Sequence, residues 1–504
     1  MKFNLSTKKK NEVINYEGAA AYRLSPEWEL YTTAVTSALS DGFYETASDR
    51  LKRLRELIAL NDPEFVAKLA AYTRRRMNMR SVALVMAVEL AKVHSGDDTV
   101  RKMVSQVVQR ADEITELLAY YQLANGRKGT KKLNRLSKQL QSGLQDAFNR
   151  FDEYQFAKYN RDTEVKLRDA LFLVHPKAKD ESQQLIFNKI VNNDLETPYT
   201  WETELSALGQ TKFASEKERK AAVCAKWEEL IDSGKVGYMA LMRNLRNILG
   251  ADVSKKHIKK VCETLSGAHE VRRSKQLPFR FLAAYREITA VKSKYSSRVL
   301  EALESAVAVS AENIRGFNED TSVLIACDVS GSMQRAVSPR SKILAYDIGL
   351  MLAMLLKSRC RNAVTGMFGD RWKIINVPRS GILQNVNLFY KREGEVGYAT
   401  NGHLVIEDLI TRHERIDKVM LFTDCQLWNT RGNNTIANAW KRYKAFSPDS
   451  KLYLFDLSGY GNTPLNILQE DVHLIAGWSD KVFDILAALD NGGDALQEVR
   501  GMEL

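Results

Sequence analysis

The chain has 504 residues, too many for one hydrophobic core, so two or three domains are expected. With 44% hydrophobic and 27% charged residues the composition is globular, which excludes a disordered or fibrous chain. The formal net charge is +12, and it is uneven: residues 1–300 hold 52 Lys+Arg against 37 Asp+Glu, whereas 301–504 hold 22 against 25. A surface for polyanions therefore belongs to the N-terminal part.

In chain order, "MKFNLSTKKKNEV" carries lysines but lacks the apolar core of a translocation signal. No later run is long enough to cross a bilayer; "LMLAMLL" from Leu350 is seven residues. These features point to the cytoplasm and to no membrane partner. From about Pro26 to about Ile314 the pattern is helical. "DPEFVAKLAAYTRRRM" places Phe65, Leu69 and Tyr72 at helical spacing behind an Asp62-Pro63 start, and similar segments recur every fifteen to twenty residues. The few prolines, Pro26, Pro63, Pro176, Pro198 and Pro278, fall between segments. Stacked helix pairs of the HEAT kind suit such a pattern.

Basic clusters lie along this helical part. "YTRRRMNMRS" puts Arg74, Arg75, Arg76 and Arg80 at a helix end, where cations also serve the helix dipole. "GRKGTKKLNRLSKQ" has Lys128, Lys131, Lys132 and Arg135 on one helical face with no acid, a face that repels itself unless anions lie against it. Further groups follow at Arg243, Arg246, Lys255, Lys256, Lys259 and Lys260, and at Arg272, Arg273, Lys275 and Arg280. Together they point to nucleic acid, bound through phosphate neutralisation. Tyr72, Tyr154, Tyr159 and Tyr285 are near the charges and can stack unpaired bases, which favours single-stranded RNA.

After Gly316 the pattern changes to short apolar, β-branched or aromatic runs: "SVLIACD" (322–328), "NAVTGMFGD" (362–370), "KVMLFTD" (418–424), "KLYLFDL" (451–457) and "DVHLIAG" (471–477). Strands apolar on both faces belong to a parallel sheet covered by helices, and helical stretches such as "YDIGLMLAMLLKS" and "LVIEDLITRH" alternate with them. The expected organisation is an all-α helical repeat domain over 1–315 and a doubly wound α/β domain over 316–504. Cys224, Cys262, Cys327, Cys360 and Cys425 are widely spaced, with no C-x-x-C pair, and read as reduced thiols.

In a parallel sheet, ligands bind at the carboxyl ends of the strands. Asp328 closes one strand, with Ser330 and Ser332 in the turn after it; Asp424 closes another, and Thr400 lies in the loop "GEVGYATNGH". Two carboxylates and three hydroxyls make an oxygen site for a hard divalent cation such as Mg2+, with the remaining coordination left to water or an outside carboxylate. D-V-S-G-S, a distant Thr and T-D after a strand resemble the metal-ion-dependent adhesion site of von Willebrand factor A domains. On that pattern Asp328, Ser330, Ser332, Thr400 and Asp424 match the metal-site positions in order, although "GYAT" departs from the usual glycine-glycine-threonine, which opens the Thr role to Asn401 or water. The cluster lacks a second acid two residues after Asp328, the glycines of a nucleophile elbow and a Walker loop, so a metal-bridged binding site with no catalysis is expected.

A basic helical repeat domain followed by an adhesion-type α/β domain resembles the Ro autoantigen family, whose N-terminal module is the TROVE domain. "NMRSVALVMAVEL", "TPYTWETELSALGQ", "GYMALMRNLRNIL", "SKQLPFRFLAAYR" and "FAKYNRDTEVKLRDALFLVHPKAK" carry the likeness across nearly the whole chain. It implies a monomeric ring of helical repeats clasped by the adhesion-type domain, acting without catalysis in a ribonucleoprotein. Small non-coding Y RNA would bind the outer surface, with Lys158 and His175 matching the family's RNA-binding lysine and histidine and Lys177 beside them. Single-stranded 3′ ends of misfolded RNA would enter a basic central hole, in RNA quality control shared, in bacterial-type members, with a 3′ to 5′ exoribonuclease. The alternative from the residues alone is a protein-binding adaptor that takes an acidic ligand at the metal.

Overall fold

The computed structural model describes residues 12–37, 39, 44–126, 136–312, 314, 317, 320–339, 341–428 and 434–504. Its secondary structure is mainly helical, with a six-stranded sheet in the last third of the chain. The change of pattern falls between the helix Ser296–Ala311 and the strand Ser322–Asp328.

Packing divides the chain differently from that change of pattern. One compact unit gathers Met1–Leu57, Val271–Arg286 and Glu301–Glu498; the other gathers Ile58–Glu270, Glu287–Leu300 and Val499–Leu504. The N-terminal segment, expected to belong with the helical repeats as part of 1–315, instead packs into the α/β unit. Its strands β1 (Glu12–Ile14) and β2 (Ala20–Arg23) form a hairpin, and β2 pairs with Asn462–Thr463. Arg50 and Arg53, both sharing Glu45, donate to the carbonyls of Ser458 and Gly459 at 2.8 Å each. These bonds satisfy buried guanidinium groups within the α/β unit, which fixes the segment there.

In the helical unit the sequence patterns explain the local structure. Asp62 caps the helix Pro63–Arg75 by accepting from the Phe65 N–H at 2.9 Å, and Pro63 occupies the first helical position, where a missing N–H costs nothing. Phe65, Leu69 and Tyr72 are buried along one face of that helix. It packs against Ser81–Val93 and Thr99–Val107, and Thr99–Val107 packs against Lys138–Phe148. At this last contact Gly143 admits the neighbour closely: a Cβ there would lie 2.6 Å from the Val104 Cβ. Consecutive helices packing on their neighbours are the repeat architecture expected from the sequence.

In the α/β unit the main sheet comprises β3 (Ser322–Asp328), β4 (Asn362–Phe368), β5 (Trp372–Ile374), β6 (Lys418–Thr423), β7 (Lys451–Asp456) and β9 (Val472–Ala476), while β8 (Asn462–Thr463) joins the hairpin. The order is β5-β4-β3-β6-β7-β9, parallel throughout except for the antiparallel edge strand β5. This is the doubly wound, von Willebrand factor A-like architecture. Ile348, Met351, Leu352 and Leu355 of the helix Ala345–Arg359 are all buried, as their helical spacing requires. The chain runs outward from β3 to β4 and then returns to place β6 on the other side of β3, so the sheet's topological switch point lies between β3 and β6.

Candidate metal centre and candidate RNA surface

Asp328 and Asp424 follow from that switch point: one ends β3 and the other comes directly after β6. Both are fully buried, at 1% and 0% exposure. The Asp328 Oδ1 accepts from the Ser330 N–H at 2.8 Å and its Oδ2 from the Thr423 hydroxyl at 2.6 Å, which fixes the carboxylate plane. The Ser330 and Ser332 hydroxyls are 3.1 Å apart, with Ser332 on the short 3-10 turn Gly331–Gln334. Asp424 Oδ1 accepts from the Gln426 N–H at 3.0 Å, after a left-handed residue, Cys425, with φ 63°.

The Thr400 loop is tied to both of these segments. The Gly331 N–H donates to the Tyr398 carbonyl and the Trp428 N–H to the Thr400 carbonyl, each at 3.1 Å, while the Asn401 N–H reaches the Gly369 carbonyl at 3.2 Å. Such closeness requires Gly369, where a Cβ would lie 2.1 Å from the Gly397 carbonyl oxygen. The three separated pieces singled out in the sequence thus meet at one sheet edge. Burial first, and the neighbouring Asp424 charge second, push the Asp328 carboxyl up; burial likewise raises Asp424.

The residues fit a divalent cation. Among the described residues Thr400 Oγ1, Asp424 Oδ2 and Asn401 Oδ1 are buried oxygens with no hydrogen-bond partner, and two carboxylates are buried beside them. Buried acceptors and charges in that condition call for a positive group. Among the described residues no three His, Cys, Asp or Glu side chains gather as a metal centre, so a cation here would depend on the hydroxyls of Ser330, Ser332 and Thr400 as much as on the acids. His403 is buried nearby in sequence; burial lowers its pKa and its Nδ1 has no partner.

Sequence reasoning missed the support around these groups. Thr423, which orients Asp328, and Gln426, which orients Asp424, were not singled out. Nor was Asp456, at the end of β7, where it is fully buried and pushed up to about 6, chiefly by burial. The signal was present, since "KLYLFDL" closes an apolar strand on an acid as "SVLIACD" and "KVMLFTD" do.

The helical unit sorts the expected RNA residues into three groups. Lys128, Lys131, Lys132 and Arg135 lie outside the described residues. Arg74 and Arg80 are engaged by acids: Arg74 donates to the buried Glu113 at 2.7 Å, and Arg80 pairs with Asp112 at 3.3 Å and with Glu116. These two arginines hold helix Ala111–Ala124 in place, while Arg76 is exposed beside them. Tyr72 and Tyr285, expected to stack bases, are core residues at 4% and 8% exposure.

Lys158, His175 and Lys177 form the third group, and all three are exposed. The Lys158 Nζ lies 5.7 Å from the ring centroids of both Tyr154 and Tyr159, and the Arg110 guanidinium lies 4.5 Å from that of Tyr159. Tyr154 is 44% exposed, so a stacking face remains open to solvent. His175 ends the helix Leu167–Val174 in a left-handed conformation, φ 49°. The backbone there is pinned from helix Lys138–Phe148 and its C-cap: Gln145 Nε2 donates to the Val174 and His175 carbonyls at 3.0 and 3.1 Å, and Asn149 Nδ2 to the Lys177 carbonyl at 2.9 Å. The segment's main chain is held inward while its cationic side chains face solvent.

Comparisons with known proteins give the family and the fold. A family described as the TROVE domain matches residues 32–212 and 192–321. Telomerase protein component 1 of Mus musculus is 26% identical over 320 residues, 48% of this chain and 12% of that protein. The Rattus norvegicus counterpart is 26% identical over 318 residues, 47% and 12% respectively. The chain therefore spans only a small part of the length of these relatives. The crystal structure of the Deinococcus radiodurans Ro (Rsr) protein superposes with a TM-score of 0.58 at 18% identity, covering 92% of this chain and 99% of that one, a likeness of fold. With the TROVE match running from 32 to 321, more than half of its length, the chain belongs to the TROVE-domain family of RNA-binding, ribonucleoprotein-forming proteins.

Proposed function

We propose that the protein is a non-catalytic RNA holder of the cytoplasm, which binds a small non-coding Y RNA and the single-stranded 3′ ends of misfolded RNAs and passes the latter to a 3′ to 5′ exoribonuclease. The observation that carries this reading is the segment His175–Lys179, pinned by its backbone with Lys177 and Lys179 exposed and, among the described residues, no carboxylate in ion-pair range of either. Exposed, unneutralised cations on a fixed scaffold are what phosphate binding needs, and the open Tyr154 face beside Lys158 suits an unpaired base. RNA affinity should fall linearly with salt on a log-log plot. Replacing Lys158 and Lys177 together by glutamine should lower the slope by about 2, one per phosphate contact. A slope unchanged by the double substitution removes these residues from the interface.

The partnerless oxygens at Thr400 and Asp424 favour a second component of the reading, a resident Mg2+ held by Asp328, Ser330, Ser332, Thr400 and Asp424. Such an ion would offer a Lewis-acidic position to a carboxylate.

A further inference from the structure

The helix Leu167–Val174, in the unit that carries Lys158 and Lys177, buries one face and leaves another open. Leu167, Ala170, Leu171 and Val174 are buried, whereas Arg168 and Phe172, one helical turn apart, are exposed and lead on to the exposed His175 three residues later. Steps of four and three residues keep to one side of a helix, so these groups form a single solvent-facing stripe. Phe172 is 48% exposed, and the Arg168 guanidinium lies 5.7 Å from its ring centroid.

The charge around this ring is one-sided. Among the described residues Arg168 has no carboxylate in ion-pair range, and the acids close to it in sequence are engaged elsewhere. Asp169 accepts from the Lys166 N–H at 3.2 Å, which caps the helix, and Asp162 pairs with the Lys166 ammonium at 2.7 Å. Beyond His175 the exposed Lys177 and Lys179 follow on a fixed backbone: Asn149 donates to the Lys177 carbonyl and accepts from the Lys179 N–H, each at 2.9 Å. The pairing of an open ring with a cation four residues away also occurs at Tyr154 and Lys158 on the helix Glu153–Tyr159, and both helices pack on Ala111–Ala124. An apolar ring bordered by uncompensated cations does not suit an apolar protein face, which would strand those charges, nor a duplex, whose bases are stacked inside it. It suits an unpaired base joined to a phosphate.

We propose that Phe172 is a base-stacking platform of the RNA surface, taking one unpaired base on its ring while Arg168 neutralises an adjoining phosphate. The inference rests on the RNA reading above and adds to it a contact made to the base, whose strength does not depend on salt. With Tyr154 it gives the surface two stacking positions, so a single strand is held by its bases as well as by its backbone.

The test measures binding of the full chain to three probes of about twelve nucleotides: single-stranded oligoadenylate, an abasic strand with the same backbone, and a blunt-ended RNA duplex. Phe172→Ala should weaken oligoadenylate binding about tenfold with an unchanged salt slope, and should leave the abasic strand and the duplex unaffected. Phe172→Trp should bind oligoadenylate as the unsubstituted chain does, and Arg168→Gln should lower the salt slope by about 0.7. Undiminished binding of oligoadenylate by Phe172→Ala overturns the inference alone, as does an equal loss on all three probes, which a merely structural role would produce. Binding of the duplex but not of oligoadenylate by the unsubstituted chain also overturns only the inference. Failure of that chain to bind any of the three overturns the RNA reading and this inference with it.

Discussion

The crevice at Asp328 and Asp424 and the surface at Lys158 and Lys177 carry charge under opposite conditions. In the crevice two acids are out of water, their carboxyls raised by burial, and the groups around them are specified down to single hydrogen bonds. On the helical surface the cations are in water and their backbone is fixed while their side chains are left alone. The difference shows that a dry charge demands a particular counter-charge, whereas a wet one is available to a polyanion whenever nothing nearby neutralises it. Arg74 and Arg80 illustrate the second half of the rule from the other side: exposed enough to look like phosphate ligands in sequence, they are already paired with Glu113, Asp112 and Glu116.

The largest effect should come from removing the counter-charge of another dry acid in the α/β unit. Asp347 is fully buried and takes two hydrogen bonds from Arg286, at 2.8 and 2.6 Å. Arg286→Ala should cost about 3–5 kcal/mol of stability, read from denaturant unfolding, because it leaves a buried carboxylate unpaired. A loss below about 1 kcal/mol would mean that this environment is wetter than its geometry indicates. Next in size, Arg74→Ala should cost about 1–3 kcal/mol by stranding Glu113, with RNA affinity unchanged. The Lys158 and Lys177 substitutions should do the reverse, shifting stability by no more than about 0.5 kcal/mol while weakening RNA. If Arg74→Ala weakens RNA as much as the lysine pair does, the distinction between paired and open cations fails.

The smallest effect concerns pH. Burial, with Lys451 nearby, lowers His473 to about 4, so the folded chain binds its proton less readily than the unfolded chain does. Stability should therefore fall as pH drops from about 6.5 towards 4, and His473→Gln should flatten that part of the profile. An unaltered profile would place the acid sensitivity elsewhere.

What could be read in the sequence follows from the same contrast. "SVLIACD" and "KVMLFTD" announce buried parallel strands that end on acids, and the topology of such sheets alone puts those ends together, so the crevice was legible before any coordinates. The two-residue β8, the three-residue β1 and β5 and the four-residue β2 are too short for a periodic signal. Of their pairings that of β2 with β8 joins residues more than 400 positions apart, which is why the docking of the hairpin on the α/β unit stayed hidden. Periodicity also cannot say which aromatic residue of a basic helix faces inward, as Tyr72 and Tyr285 do, nor that Arg74 would meet an acid 39 positions away.

The attachment of the hairpin to residues more than 400 positions later, such as Tyr16 to Gln426 and Arg50 to Ser458, bears on the order of events during synthesis. Residues near position 16 must wait for those near position 426 to be made before they can pack there. At about 5–20 residues per second that interval is roughly 20–80 s. Through it Leu30, Tyr31, Ala34 and Val35, all wholly enclosed in the finished molecule, stay uncovered. This segment is thus a natural client for a chaperone until the strands of the α/β unit that it packs on have been made.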